Sequence, residues 1–111
     1  MNTITLKDGL RVGDTVHKEV EFRDLTAGDI LDATEASERI VTTQDGRVVA
    51  VVSDARLGME ILRRRISKFG TLPVPISLTE IKRLSEDDID ALQNAVLELD
   101  TTRRLSAMGR N

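Results

Sequence analysis

The sequence predicts an α+β fold, mainly α, with an N-terminal β-hairpin, a possible third strand and four helices, the third of them short. Two observations predict it. Apolar and polar side chains alternate in "VHKEVEF" at 16–22, which favours a strand, and residues 3–7 favour a second one. Further along, one pattern occurs four times: an apolar residue is followed directly by Ser or Thr, and a second apolar residue stands five positions after the first. This spacing is typical of helix starts.

The two strands form the predicted hairpin, with Gly9 and Gly13 in a longish loop between them. The period of two places Val16, Val20 and Phe22 on one face. The opposite face then carries His17, Glu19 and Glu21. These three are the only candidate metal ligands of interest, but they lie on one strand without further ligands. We therefore expect a solvated strand face and no metal site.

Each helix start has a Ser or Thr whose hydroxyl can cap the first turn. An acid three positions later completes a reciprocal capping box for Thr26 with Asp29, for Ser77 with Glu80, and for Ser85 with Asp88. Ser53 has Arg56 in the place of the acid, so its box is incomplete. The predicted helices cover residues 27–41, 54–69, 78–83 and 86 to past 100.

The breaks between helices also follow from the sequence. "QDG" at 44–46 is expected to end the first helix, whose inner stripe is predicted to hold Ile30, Ala33, Ser37 and Ile40. Gly70 is expected to cap the end of the second helix. "VVAVV" at 48–52 forms either a third strand or an extended connection.

Length and composition limit the classes of protein. The 111 residues predict a single domain over 1–111, with the hairpin in 1–24, the helical part in 25–102 and a frayed tail in 103–111. The absence of cysteine excludes disulfides and thiolate metal sites, and no apolar run reaches membrane-spanning length. We expect a soluble, cytoplasmic protein without a cofactor.

No motif of catalysis is present. Nucleophile-elbow, phosphate-binding and dinucleotide-binding glycine patterns are missing, and the acids at 86–88 are explained by capping of the first turn of the fourth helix. The net charge of −3 argues against nucleic acid as the partner. The sequence therefore predicts an interaction protein rather than an enzyme.

Two stretches are candidates for binding a partner. "LRRRISK" at 62–68 is the most basic one. Its arginines either form a solvated face or dock an acidic partner. The buried stripe of the same helix is expected to hold Leu57, Ile61, Leu62, Ile66 and Phe69. The fourth helix has a core stripe of Ile89, Leu92, Val96 and Leu99, and further apolar residues beside it. The candidate partner-binding residues are Arg63, Arg64, Lys68, Leu97, Leu99 and Leu105.

Three phrases in this order carry a resemblance to a known family: "LTAGD" at 25–29, "LRRRI" at 62–66 and "SLTEIKRLSEDDIDALQ" at 77–93. From about Ile4 to Asp100, the chain resembles the tail assembly chaperones of Mu-like phages and prophages. The resemblance implies a non-catalytic protein of the host cytoplasm that binds and solubilises the tape measure protein, a long and largely helical chain, and that is absent from the mature virion.

The resemblance further implies that a frameshifted, longer form recruits the tail tube protein, and that this chain is the short form. Apolar surface outside the core stripe is also compatible with a homo-oligomer. Two other classes stay open: a small helix-turn-helix-like DNA-binding regulator that uses the third and fourth helices, and a minor structural tail protein.

Overall fold

The α+β architecture is confirmed in a computed structural model, which describes residues 3–108. An N-terminal antiparallel hairpin gains a third strand, and this described part contains four helices, one of them a single turn. The elements are β1 (Thr3–Val12), β2 (Thr15–Phe22), α1 (Ala27–Ala36), β3 (Glu38–Thr42), β4 (Val48–Val52), α2 (Asp54–Arg65), β5 (Ile66–Phe69), α3 (Leu78–Ile81) and α4 (Glu86–Met108).

The N-terminal sheet has the strand order β1-β2-β5, and both pairings are antiparallel. β1 is longer than predicted, since Val12 pairs with Thr15 and only two residues form the turn. The pairing also shifts within β1: Thr5 lies opposite Glu19 and Leu10 opposite His17, so residues 6–9 face Lys18 alone. This irregular stretch is called the β1 bulge below.

The shifted register changes the predicted faces of β2 at residues 16 and 17, whereas Val20 and Phe22 are buried as predicted. His17 is buried, whereas Val16 is exposed, because the β1 bulge breaks the period of two between residues 17 and 20. The Nδ1 atom of His17 accepts a hydrogen bond from the backbone N–H of Thr71 at 3.3 Å. Glu19 stays exposed, and within residues 3–108 no group of three potential metal ligands is found.

The third strand of this sheet comes from a segment that we predicted as helix. α2 ends at Arg65, and the next four residues form β5, in which Phe69 pairs with Val20 and Ile66 pairs with Phe22. Ile66 and Phe69 are buried as predicted, but in a strand. A three-residue spacing is typical of a helix, and in β5 both side chains reach the core because the register against β2 shifts between Glu21 and Phe22. The strand forms because pairing satisfies backbone groups on the edge of β2 that a longer α2 would leave unpaired. Gly70 consequently follows a strand and is not a helix cap.

The first helix is shorter than predicted. α1 ends at Ala36, and β3 pairs with β4 in a separate two-stranded sheet, with Ile40 opposite Ala50. Residues 48–52 are therefore a strand, although its partner is not the N-terminal hairpin. "QDG" lies in the β3–β4 turn, where the N–H of Gly46 donates to the carbonyl of Thr43. The chain turns back at this point because β-branched residues on both sides favour a strand pair over helix.

This change also alters the predicted inner stripe of the first helix. Ala33 and Ser37 are fully buried, and the hydroxyl of Ser37 donates to the carbonyl of Ala33 at 2.8 Å. Ile30 and Ile40 are 50% and 71% exposed, so only half of the predicted stripe lies inward.

All four predicted Ser or Thr residues accept a hydrogen bond from the N–H three positions later, at the starts of the four helices. Thr26 with Asp29 and Ser77 with Glu80 form complete capping boxes. Asp88 does not complete the third one. Its carboxylate accepts instead from the backbone N–H groups of the β1 bulge, at 3.0 Å from Lys7, 3.3 Å from Asp8 and 2.8 Å from Gly9.

The core lies between the N-terminal sheet and helices α2, α3 and α4. Its members are aliphatic apart from two phenylalanines: Leu6, Leu10, Val20, Phe22, Leu62, Ile66, Phe69, Ile76, Ile81, Leu84 and Leu92. Ile89, Val96 and Leu99 of the predicted α4 stripe pack against this cluster. α4 continues to Met108, past the predicted start of a frayed tail at 103, and residues 109–111 lie outside the described part. No helix in the described chain has the length and apolar character needed to cross a membrane.

Candidate functional site

The basic stretch of α2 is organised around one buried carboxylate. Glu60 is 2% exposed, and its Oε1 atom accepts from Nε of Arg63 and from an Nη atom of Arg64, both at 2.6 Å. Arg56 approaches the other carboxylate oxygen at 3.7 Å. Both close pairs span three or four residues on the helix, which is the spacing at which helical side chains meet.

These contacts fix the charge state of Glu60 and the role of its arginines. Desolvation by burial alone would raise the pKa of Glu60, but the hydrogen bonds from Arg63 and Arg64 outweigh it and hold the pKa below its ordinary value. Arg63 also donates to the backbone carbonyl of Ile76, which attaches α2 to the segment before α3. Arg63 and Arg64 therefore have intramolecular acceptors, and their side chains are only 20% and 14% exposed.

The six predicted partner-binding residues do not form one surface. Arg63 and Arg64 surround Glu60, while Lys68 lies on β5 next to Glu21. Leu99 faces the sheet and lines a cavity of about 270 Å³ together with Ile4 and Phe22.

Leu97 and Leu105, by contrast, are exposed. They are 64% and 62% exposed, and the eight positions between them place both on a similar side of α4. Of the predicted set, these two are the apolar side chains available to a partner.

A larger cavity, which no sequence pattern predicted, lies between α2, α3 and α4, and we call it the basic-rimmed groove. It has a volume of about 350 Å³. Its apolar lining comes from Met59, Leu78, Ile81, Leu84 and Ile89. Three cationic side chains also line it, Arg39 from β3, Arg56 from α2 and Lys82 after α3, and all three residues are exposed.

The groove could not be detected by local pattern, because its lining comes from four separate segments. Of its apolar lining residues, Ile89 alone belongs to a stripe that the sequence predicted as core, and its cations are far apart in the chain, from Arg39 to Lys82. Chemically, an apolar cavity with positive charges at its edge suits an apolar side chain flanked by acids. The residues that line the groove include no pair of groups arranged for proton transfer.

The comparisons with known proteins place the chain in a family. The family model described as "Tail assembly protein gp41" matches residues 6–110, so the chain belongs to the Mu gp41 family of tail assembly proteins. The chain is thus related to proteins of phage tail assembly.

Individual relatives come from a phage and a prophage. The chain is 39% identical over 89 residues to the "Mu-like prophage FluMu protein gp41" of Haemophilus influenzae, covering 80% of this chain and 70% of that protein. It is 41% identical over 96 residues to the "Probable tail assembly protein gp41" of Escherichia phage Mu, covering 83% of this chain and 66% of that protein.

A further phage Mu relative, the "Probable tail assembly protein FS-gp41", is also 41% identical over 96 residues, and the match covers 83% of this chain and 50% of that protein. The chain therefore spans about half to two thirds of the phage Mu relatives. No solved structure matches the chain.

Proposed function

We propose that this protein is a non-catalytic phage tail assembly chaperone that binds and solubilises the tape measure protein before the tail tube forms. Its membership in a tail assembly family supports the assembly role. The observation that carries the chaperone role is the basic-rimmed groove, because a holding protein needs an apolar surface with polar edges and modest affinity. No cofactor is needed for such a function.

The client would place an apolar side chain in the groove and its neighbouring acids against Arg39, Arg56 and Lys82. Exposed Leu97 and Leu105 on α4 offer a second apolar contact for a long helical client. In this proposal Arg63 and Arg64 act indirectly. Both bind the buried carboxylate of Glu60, and Arg63 also holds α2 against the segment before α3. Lys68 and Leu99 contribute through the sheet and the core rather than through direct contact.

The proposal includes the wider assembly pathway. The matched segment makes up 66% of one phage Mu relative and 50% of another, so the second carries more additional chain. This difference supports a longer form that recruits the tail tube protein. The proposed site of action is the cytoplasm of the bacterial host, and the protein is expected to be absent from the finished virion.

The experiment is co-expression with the tape measure protein encoded in the same phage or prophage, measured as the soluble fraction of the client and its co-purification. Arg39→Glu combined with Lys82→Glu reverses two cations of the groove at exposed positions, and should lower co-purification at least about tenfold. Leu97→Asp combined with Leu105→Asp tests the α4 surface separately. Lys18→Glu, an exposed cation on β2, is the matched control and should have no effect.

The outcomes separate the alternatives. Full co-purification of the folded groove and α4 variants would refute the proposed client contact. A tape measure protein equally soluble with and without this chain would refute the chaperone function. Duplex DNA binding at moderate salt in a gel shift would favour a regulator, and detection of the chain in purified virions by mass spectrometry would favour a minor structural protein.

A further inference from the structure

The β3–β4 hairpin is apolar on both faces and lacks a covering layer within residues 3–108. All ten strand residues are exposed, and the two strands pair only with each other. One face carries Ile40, Ala50, Val48 and Val52, and the other carries Val41, Val49 and Val51. Isolated two-stranded hairpins are marginally stable in water, and additional strands are the usual remedy.

The overall dimensions agree with a projecting hairpin. The radius of gyration is 16.5 Å, whereas a compact chain of this length is expected near about 13 Å. A 23-residue α4 and a hairpin whose ten strand residues are all exposed agree with this extended shape. The hairpin is therefore accessible from the side of its outer edges.

The two outer edges differ in their protection against pairing. β3 carries Glu38 and Arg39, and charged side chains on an edge strand discourage addition of another strand. β4 reads "VVAVV" and has no charge, proline, glycine or bulge. The edge of β4 is therefore the one open to a further strand.

The register shows which backbone groups of β4 point outward. The N–H of Ser53 donates to the carbonyl of Ser37, and the N–H of Thr43 donates to the carbonyl of Arg47, so both of these pairs are hydrogen-bonded pairs. Such pairs alternate along an antiparallel ladder, which makes Val49 and Val51 face β3. The N–H and C=O groups of Val48, Ala50 and Val52 therefore point away from β3.

The sequence of β4 is the same in both directions, so antiparallel pairing with its own copy sets residues of the same kind opposite one another. Antiparallel pairing about Ala50 sets Ala50 opposite Ala50 of the second copy, Val48 opposite Val52, and Val49 opposite Val51. Each position thus meets a residue of its own kind. Glu38 and Arg39 remain on the two outermost strands, β3 of each copy.

We propose that two copies of this chain form a two-fold symmetric dimer by antiparallel pairing of β4 with β4, centred on Ala50. The result is a four-stranded sheet in the order β3-β4-β4-β3. Three outward residues per copy each donate one N–H, so the new pairing contains about six backbone hydrogen bonds. On one face the central row runs Ile40, Ala50, Ala50, Ile40, so that two small side chains lie between two large ones.

The proposal rests on the hairpin alone and does not depend on the identity of the client. A foreign strand is the competing occupant of the same edge. The second copy is favoured because the β4 edge is symmetric in sequence and uncharged, so it offers no charge pattern by which a different partner would be selected.

The test uses the full chain in sedimentation velocity and in size-exclusion chromatography with light scattering. The chain has a mass of 12.3 kDa, so the dimer is expected at about twice that value. Ala50→Lys and Ala50→Glu each place like charges directly opposite one another at the two-fold axis. Each variant alone should raise the dimer dissociation constant at least about tenfold.

An equimolar mixture of Ala50→Lys and Ala50→Glu should restore the dimer, because Lys then faces Glu across the axis. Ile40→Lys is the matched control: it adds the same charge to the same face but on the other strand, and should stay dimeric. Circular dichroism checks that every variant is folded. A parent chain that stays monomeric at about 100 μM, or charge variants that do not complement each other, would overturn the proposal.

Discussion

Asp88 offers the sharpest test of how this fold is assembled, because one side chain joins the first strand to the last helix. It is fully buried, and its carboxylate accepts backbone N–H groups of Lys7, Asp8 and Gly9 at 2.8–3.3 Å as the closest distances. The residues it joins are about 80 positions apart in the chain. The perturbation is Asp88→Ala, compared with Asp88→Asn.

The expected magnitude follows from the number of donors. A hydrogen bond to a charged group contributes about 1.5–3 kcal/mol when buried, but Lys7 and Asp8 are exposed, so water can replace part of the loss. With about 1 kcal/mol for each of the three N–H groups, Asp88→Ala should lower the free energy of unfolding by about 3 kcal/mol. Asp88→Asn keeps one oxygen acceptor and should cost about 2 kcal/mol.

The assay is urea unfolding followed by far-UV circular dichroism, with amide hydrogen exchange at residues 7–9 as a local measure. Asp87→Asn is the control. Its carboxylate is 67% exposed and binds only Lys7 Nζ at 3.1 Å on the surface, so the change should cost less than about 0.5 kcal/mol. If the free energy of unfolding of Asp88→Asn lay within about 0.5 kcal/mol of the parent value, the β1 bulge would not depend on this carboxylate. That result would refute the argument from the three hydrogen bonds.

Two further predictions concern Gly70 and Glu60. Gly70→Ala should lower the free energy of unfolding by at least about 3 kcal/mol in thermal or urea unfolding, since the new Cβ would lie 2.3 Å from Nδ1 of His17 and φ is +56°. Gly13→Ala, with φ +63° but no atom within 4 Å, should cost only about 1 kcal/mol, and equal losses would contradict the steric argument. Glu60→Gln should cost about 2 kcal/mol at pH 7 in the same assays. Because folding lowers the pKa of Glu60, its contribution to stability is complete above the ordinary value of 4.5 and is lost as the pH falls through the lower folded value. The free energies of unfolding of the parent and of Glu60→Gln should therefore converge in acid. A constant difference between them from pH 7 to pH 3 would exclude the ion pairs as its cause.

The partner-binding surface illustrates how far sequence patterns lead towards a site. The exposed Leu97 and Leu105 were detectable, because they fall outside the core stripe of an amphipathic helix. The contacts of Arg63 and Arg64 with Glu60 were not predicted, because burial of a carboxylate depends on the packing of distant elements. The basic-rimmed groove was missed for the same reason, since it exists only where α2, α3 and α4 meet.

The sequence by itself determined the helix starts and the fold class. The caps at Thr26, Ser53, Ser77 and Ser85 were predictable because a cap is formed by residues within four positions of one another. The family was detectable because the three sequence phrases at 25–29, 62–66 and 77–93 occur in a fixed order, which is also visible in the sequence alone.

Only the tertiary structure decided where helices gave way to strands. Residues 38–41 and 66–69 were predicted as helix, yet each lies in a strand because another strand offered its backbone hydrogen bonds. That strand is β4 for the first segment and β2 for the second. Strand pairing connects residues distant in the chain, and no local spacing records which edge will be free. The same long-range dependence placed His17 inside the protein and directed Asp88 away from its own helix and onto β1.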